Sequence, residues 1–236
     1  LIIRDGRIAG AVIRLCKGEF EEISVAGDTI AAGAGVRFKK ISNVAKKNRL
    51  GGFEWMEGIP GNVGGGLRMN AGAMGYQTFD QVVAVRYLDS DGGLHEKSGE
   101  EFSAHYRNVP ELIENFALSA VFRGSSSSTE QIESRLEASM NKRRMSQPVA
   151  ACAGCIFKNP ATVPAGKLIE ELELGDAQVG AARVSEVHGN FIVNEGGAKA
   201  EDVITLIEMI QSKAREDRGI ELHTEVKIIG SAEACF

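Results

Sequence analysis

The sequence predicts an α+β fold, and three observations carry that reading. Short apolar runs separated by Gly- and Asp-containing turns crowd the first fifty residues, the mark of strands joined by tight connections. Helical periodicity then comes in a few separate blocks. Strand and helix signals do not alternate regularly, as a parallel βαβ sheet would require.

Taken in order, residues 2–3, 11–15 and 22–26 read as strands, with Asp5-Gly6 and Gly27-Asp28 as turns between them. Residues 38–48 place Phe38, Ile41 and Ala45 on one helical face and stop near Gly51. Residues 82–88 and 94–97 flank Asp91-Gly92-Gly93 as a hairpin, and 117–123 alternate as a further strand. Ser128 followed by Gln131 has capping-box spacing for a helix carrying Ile132, Leu136 and Met140, which Pro148 must end. A boundary between lobes is expected within residues 124–150. Glu201 and Asp202 open a last helix with Val203, Leu206, Ile207 and Ile210 on one face, stopping before Gly219. Residues 223–229 alternate as a final strand. The chain starts at Leu1, in what reads as the end of a strand, so an upstream segment is expected.

Residues 58–75 hold seven glycines around Pro60 and Asn70. Glycine tolerates positive φ and close approach, so consecutive N–H groups can converge on one anion. A diphosphate cofactor is one reading; a glycine-rich turn packed on neighbouring backbone is the other.

The 236 residues carry a net charge of -5, which argues against nucleic acid or an anionic membrane as partner, since both need clustered Lys and Arg. Runs such as Lys39-Lys40, Lys46-Lys47 and Lys142-Arg143-Arg144 read as solvated helix faces. With neither a signal peptide nor a bilayer-length apolar run, the chain reads as cytoplasmic. The four cysteines do not form a secreted disulfide pattern.

Several motifs fail on inspection. Both Gly64-Gly65-Gly66-Leu67-Arg68-Met69 and Gly33-Ala34-Gly35-Val36-Arg37-Phe38 break the dinucleotide fingerprint at its last position, and Leu168 follows Gly166-Lys167 where a Walker A loop needs Ser or Thr. Cys152-Ala153-Gly154-Cys155 has thioredoxin spacing, but the strand-and-turn sequence after it lacks the helix that would activate a thiolate. No second Cys or His pair completes a zinc site. Cys16 reads as a small core residue in a strand. Tyr106-Arg107, Cys155 with Lys158 and Asn159, residues 185–188, and Glu225 remain as polar features that spacing alone cannot bring together.

Together these segments resemble the UDP-N-acetylenolpyruvoylglucosamine reductase family. The resemblance rests on residues 58–65 and 69–73, on Tyr106-Arg107, and on Gln147-Pro148 leading to Gly154-Cys155-Ile156-Phe157-Lys158-Asn159-Pro160. It continues through residues 165–170, Val184-Ser185-Glu186-Val187-His188-Gly189-Asn190-Phe191-Ile192-Val193-Asn194 and residues 221–230. The short interval between Arg107 and Cys155 looks like the compact subtype.

The resemblance implies an FAD-binding fold of the vanillyl-alcohol-oxidase/PCMH type with an incomplete first lobe. Residues 1–123 would form the FAD-binding region, with a first-lobe remnant at 1–45 and a second lobe at 46–123. Residues 124–236 would form an α+β substrate lobe with a returning strand. FAD would be bound and NADPH would be the cosubstrate. The product would be UDP-N-acetylmuramate, made from UDP-N-acetylglucosamine enolpyruvate for peptidoglycan precursor synthesis, by a monomer. Carried over residue by residue, Gly58, Ile59, Pro60, Gly61, Asn62, Val63, Gly64, Gly65, Asn70, Ala71 and Gly72 would meet the cofactor. Tyr106, Lys158 and Asn159 would orient the substrate. Arg107 would stabilise an enolate, and Glu225 would assist when protonated, which requires a water-poor setting. Cys155 stands where the family usually has a proton-donating serine. A thiol is the stronger acid and still mostly protonated near neutrality, so it can donate. Oxidation joining Cys152 to Cys155 would remove that donor. Two rival readings are a flavin-free UDP-sugar-binding or regulatory fragment, and another FAD-dependent oxidase or dehydrogenase of the same fold.

Overall fold

A computed structural model describes residues 1–6, 8 and 10–231. The chain forms two compact units, Ile13–Arg143 and a second made of Leu1–Val12 with Arg144–Phe236.

The first unit is built on a five-stranded antiparallel sheet in the order Ile23–Ala26, Thr29–Gly33, Phe116–Arg123, Val82–Leu88, Leu94–Ser98. Helix α1, Phe38–Lys47, buries Phe38, Ile41 and Ala45, the stripe its periodicity predicted. Helix α2, Val63–Met69, buries Val63, Gly66 and Leu67. Their apolar faces share one core with Ile30, Val85 and Phe122 of the sheet. The hairpin is as predicted, and Gly92 takes the positive φ of 87° that its turn demands. Helix α3, Thr129–Ser146, starts as the capping spacing indicated: the Gln131 N–H donates to Ser128 Oγ at 3.2 Å. Its buried positions are Ile132 and Ser139, while Met140 is 49% exposed. A period of 3.6 lets position i+7 serve the inward stripe in place of i+8.

The second unit holds a four-stranded antiparallel sheet in the order Cys152–Cys155, His188–Asn194, Ala182–Ser185, Gln178–Val179. Helices α4, Ala165–Glu171, and α5, Ala200–Arg218, complete its core, with Leu168, Ile169, Leu206 and Ile210 packed among Ile156, Phe157 and Ile192. Helix α5 ends as expected on Gly219 in the left-handed region, φ 63°. The strand Ile2–Ile3 pairs in parallel with Ile228–Ile229.

Three expectations give way. Residues 11–15 form no strand, and Val12 and Ile13 are 78% and 84% exposed; an apolar run becomes a strand only where a neighbouring edge pairs with it. Cys16 accordingly lies in irregular backbone and is half-buried, not in a core strand. The final strand is confined to Ile228–Ile229, with an isolated bridge from Thr224 to Phe157 before it. Cys235 lies outside the described residues.

Candidate functional site

The glycine segment is not an open loop of converging N–H groups. Gly64, Gly65 and Gly66 sit inside α2, and the N–H groups of Val63 and Gly64 donate to the Val36 and Ala34 carbonyls at 2.9 Å each. Gly64 and Gly66 allow the helix to lie close against its neighbours. A Cβ on Gly66 would come within 2.1 Å of the Phe38 ring, and one on Gly64 within 3.2 Å of the Ala34 Cβ. Before the helix, Gly58, Ile59, Pro60, Gly61 and Asn62 line a cleft of about 480 Å³ with Arg37, Lys39 and Glu57. Lys39 pairs with Glu57 at 2.7 Å, and Glu57 Oε2 is buried there without a hydrogen-bond partner. Arg37 and Lys39 escaped the sequence reading because a basic run beside a helix start looks like any solvated face.

Asn70 terminates α2 in the left-handed region, φ 39°, and is 1% exposed. Its side chain is engaged on both sides: Nδ2 donates to Gln77 Oε1 at 3.1 Å and the His105 carbonyl at 3.3 Å, and Oδ1 accepts from the Phe79 N–H at 3.1 Å. His105 opens the turn that carries Tyr106 and Arg107. That turn is closed by His105 N–H to the Asn108 carbonyl at 2.8 Å and the reverse bond at 3.2 Å. Arg107 holds φ at 56°, a conformation uncommon outside Gly and Asn, and its guanidinium lies 4.9 Å from the Tyr106 ring centroid. Glu111 ties down the same loop. Burial pushes its carboxyl up, but the Ser103 N–H, donating at 2.9 Å, helps bring it below the usual value.

In the second unit, Cys155, Lys158, Asn159 and Glu225 come from two adjoining backbone segments. Lys158 N–H donates to the His223 carbonyl at 2.8 Å, and Glu225 N–H to the Ile156 carbonyl at 2.7 Å. Cys155, Lys158 and Glu225 are half-buried and Asn159 is exposed. Asn159 Oδ1 accepts the Ala165 N–H at 3.0 Å at the start of α4, which fixes the orientation of its amide. Cys152 and Cys155 flank an irregularity in their strand, opposite Val193 and Phe191, and both carry thiols. Arg215 draws the Glu221 carboxyl below its ordinary range through hydrogen bonds of 2.6 and 3.2 Å, anchoring the segment that leads to Glu225.

The site groups are thus divided between the units: the glycine segment and Arg107 in one, the thiol, lysine, amide and carboxylate in the other. Among the described residues no group of three or more His, Cys, Asp or Glu could hold a metal ion.

Residues 147–229 match the family model for the UDP-N-acetylenolpyruvoylglucosamine reductase C-terminal domain, and residues 3–98 match an FAD binding domain. The chain is 38% identical over 233 residues to the UDP-N-acetylenolpyruvoylglucosamine reductase of Bacillus pumilus, covering 98% of itself and 77% of that protein. This chain belongs to the UDP-N-acetylenolpyruvoylglucosamine reductase family. The Clostridium tetani member is 39% identical over 232 residues, covering 98% of this chain and 75% of its own length. The crystal structure of the Thermus caldophilus member superposes with a TM-score of 0.79 at 33% identity, over 90% of this chain and 76% of that one.

The family's cofactor can be tested against the residues present. The cleft at residues 58–62 offers the Arg37 cation, the Lys39 ammonium shared with Glu57, and small or ring-closed residues whose backbone a diphosphate could approach closely. The Glu57 Oε2 acceptor suits a sugar or ribityl hydroxyl of the cofactor rather than its diphosphate. The residues fit the group. Among the described residues no helix is long and apolar enough to cross a membrane.

Proposed function

We propose that this protein reduces the enolpyruvyl ether of UDP-N-acetylglucosamine enolpyruvate to the lactyl ether of UDP-N-acetylmuramate, with FAD as bound cofactor and NADPH as electron source. Family membership with the thiol, lysine, amide and carboxylate gathered on adjoining segments is the observation that carries this. Gly58, Ile59, Pro60, Gly61 and Asn62 would hold the cofactor with Arg37 and Lys39, while Val63, Gly64 and Gly65 would back that cleft as the first turn of α2, with Ala71 and Gly72 beyond its end and Asn70 supporting them. Bound FAD, once reduced by NADPH, supplies a hydride.

The substrate accepts that hydride at its terminal methylene carbon, and charge develops on the carboxylate as an enolate. Arg107, held by its turn and by Tyr106, is the cation for that charge. Lys158 and the Nδ2 group of Asn159 orient the substrate. The Cys155 thiol gives its proton to the carbon bearing the ether oxygen, completing addition of one hydride and one proton. Glu225, the carboxylate that the family resemblance places in the catalytic set, is brought to the site by its N–H bond to the Ile156 carbonyl. The acidic net charge supports a reading without nucleic acid or anionic-membrane partners, and family membership supports a monomer in the bacterial cytoplasm, serving cell-wall growth, shape and division.

Spectroscopy tests it. The protein saturated with FAD should keep a yellow flavin that bleaches with NADPH and recovers anaerobically on adding the enolpyruvyl sugar nucleotide. Flavin that bleaches but never recovers with that substrate refutes the assignment.

A further inference from the structure

We infer that Asn190 is a positioning residue that sets the geometry of Cys155, Lys158, Asn159 and Glu225. The role assigned to those four residues rests on the proposed function; the clamp itself rests on the hydrogen bonds alone. Asn190 is a polar residue in the middle of the apolar strand His188–Asn194 and is 3% exposed. Burying a carboxamide in such a strand costs free energy unless both its ends are bonded. Both ends are bonded, and to the same residue. Oδ1 accepts the Phe157 N–H at 2.9 Å and Nδ2 donates to the Phe157 carbonyl at 2.8 Å. The Asn190 carbonyl accepts the Ile156 N–H at 2.9 Å, and its own N–H donates to His188 Nδ1 at 3.1 Å.

The side chain therefore acts as one more peptide group beside the Cys152–Cys155 strand, continuing its ladder through Phe157 after regular pairing stops. On this clamped segment hang Cys155 on one side and Lys158 and Asn159 on the other. The bonds from Glu225 N–H to Ile156 and from Lys158 N–H to His223 couple the next segment to it. A half-ångström shift of Phe157 would be felt by the thiol, the ammonium, the amide and the carboxylate together. Without a titratable proton, only a carboxamide offers a donor and an acceptor at this length. Asp is nearly isosteric but, ionised, sets a second acceptor against the Phe157 carbonyl.

The experiment uses Asn190→Asp in the full chain, with two readouts. Amide hydrogen exchange needs no cofactor. At pH 7.5 residues 154–160 and 221–227 of the variant should exchange at least tenfold faster than wild type, after intrinsic-rate correction, while residues 82–98 stay unchanged. At pH 5 the variant's carboxyl, kept neutral by burial beside a carbonyl, regains a donor, and protection should return to within threefold of wild type. Protonating His188 would cost the Asn190 N–H its acceptor, and Lys158, Cys155 and Glu225 share this region, so wild type at each pH is the baseline. In stopped flow with FAD bound, reduction by saturating NADPH should stay within twofold, and reoxidation by the sugar nucleotide should slow at least twentyfold. Ile192→Ala, a cavity variant of the same strand, should melt earlier yet reoxidise within threefold of wild type.

Unchanged exchange of residues 154–160 in both Asn190→Asp and Asn190→Ser, the second of which cannot regain the lost bond by staying protonated, overturns the clamp, as does an Asn190→Asp loss that pH 5 does not restore. If Asn190→Asp fails to fold at pH 7.5, Asn190→Ser decides: selective exchange at 154–160 supports positioning, and wild-type exchange refutes it. A wild-type protein that never reoxidises with the sugar nucleotide, alongside the predicted exchange pattern, indicts the proposed function and leaves the clamp standing.

Discussion

Neighbouring glycines in α2 are expected to respond in opposite directions to the same methyl group. Gly65 is exposed and a Cβ there meets no atom within 4 Å. Gly65→Ala should therefore gain the helix-propensity difference, roughly 0.5–1 kcal/mol. Gly66 collects the same gain, but its Cβ would stand 2.1, 2.5 and 3.1 Å from three atoms of the Phe38 ring. Phe38 is fully buried and meets Trp55 edge-on at 5.9 Å, so its ring has nowhere to move. Overpacking of this kind costs about 1–3 kcal/mol, and three contacts at once place it at the upper end. Net destabilisation for Gly66→Ala is then about 2 kcal/mol, and the two variants should differ by about 3 kcal/mol. At roughly 2–4 °C per kcal/mol for a chain of this size, their melting temperatures should lie about 6–12 °C apart. The assay is thermal and urea unfolding of flavin-free protein by circular dichroism. Equal shifts for the two variants, or a stabilised Gly66→Ala, would refute the claim that Gly66 serves helix packing.

Three further outcomes follow from named contacts. Asn70→Ala should lose about 3 kcal/mol in urea unfolding, since it orphans the Phe79 N–H and strains a left-handed residue; Asn70→Gly should recover about 1 kcal/mol of it by relieving the strain alone. At the Val82–Leu88 hairpin, hydrogen bonds from His95 first, then the Gly93 N–H, hold the Asp89 carboxyl below its ordinary value. Such a group stabilises the fold above its unfolded pKa and stops doing so as pH falls through its lowered folded value; exchange protection at residues 88–95 should fade below about pH 4 in wild type and stay flat in Asp89→Asn. Cys155→Ser should extend sugar-nucleotide reoxidation to higher pH, because a hydroxyl stays protonated where a thiol with a pKa near ~8.5 does not; superimposable pH profiles would remove Cys155 as the proton donor.

Much was legible in the residues because the signals are local. The stripe of Phe38, Ile41 and Ala45, the Ser128 cap, the Asp91-Gly92-Gly93 turn and the Gly219 stop each depend on a few neighbouring residues, and each is in place. The order of motifs along the chain likewise identified the family. What escaped depends on partners distant in sequence. Residues 11–15 have strand-like residues but no edge to join, and Met140 and Ser139 exchange places on α3 according to what faces the helix. The glycines of residues 64–66 looked like an anion cradle because composition reports permissiveness, whereas Phe38 and Ala34 decide what that permissiveness is used for. Asn70 and Asn190 show the same division. A buried carboxamide announces in sequence that something must bond it; only the fold reveals that one ties down the turn of Arg107 and the other the backbone between Cys155 and Lys158. Periodicity and capping are set by covalent neighbours, but hydrogen-bond partners are chosen by the packing that brings remote segments within 3 Å.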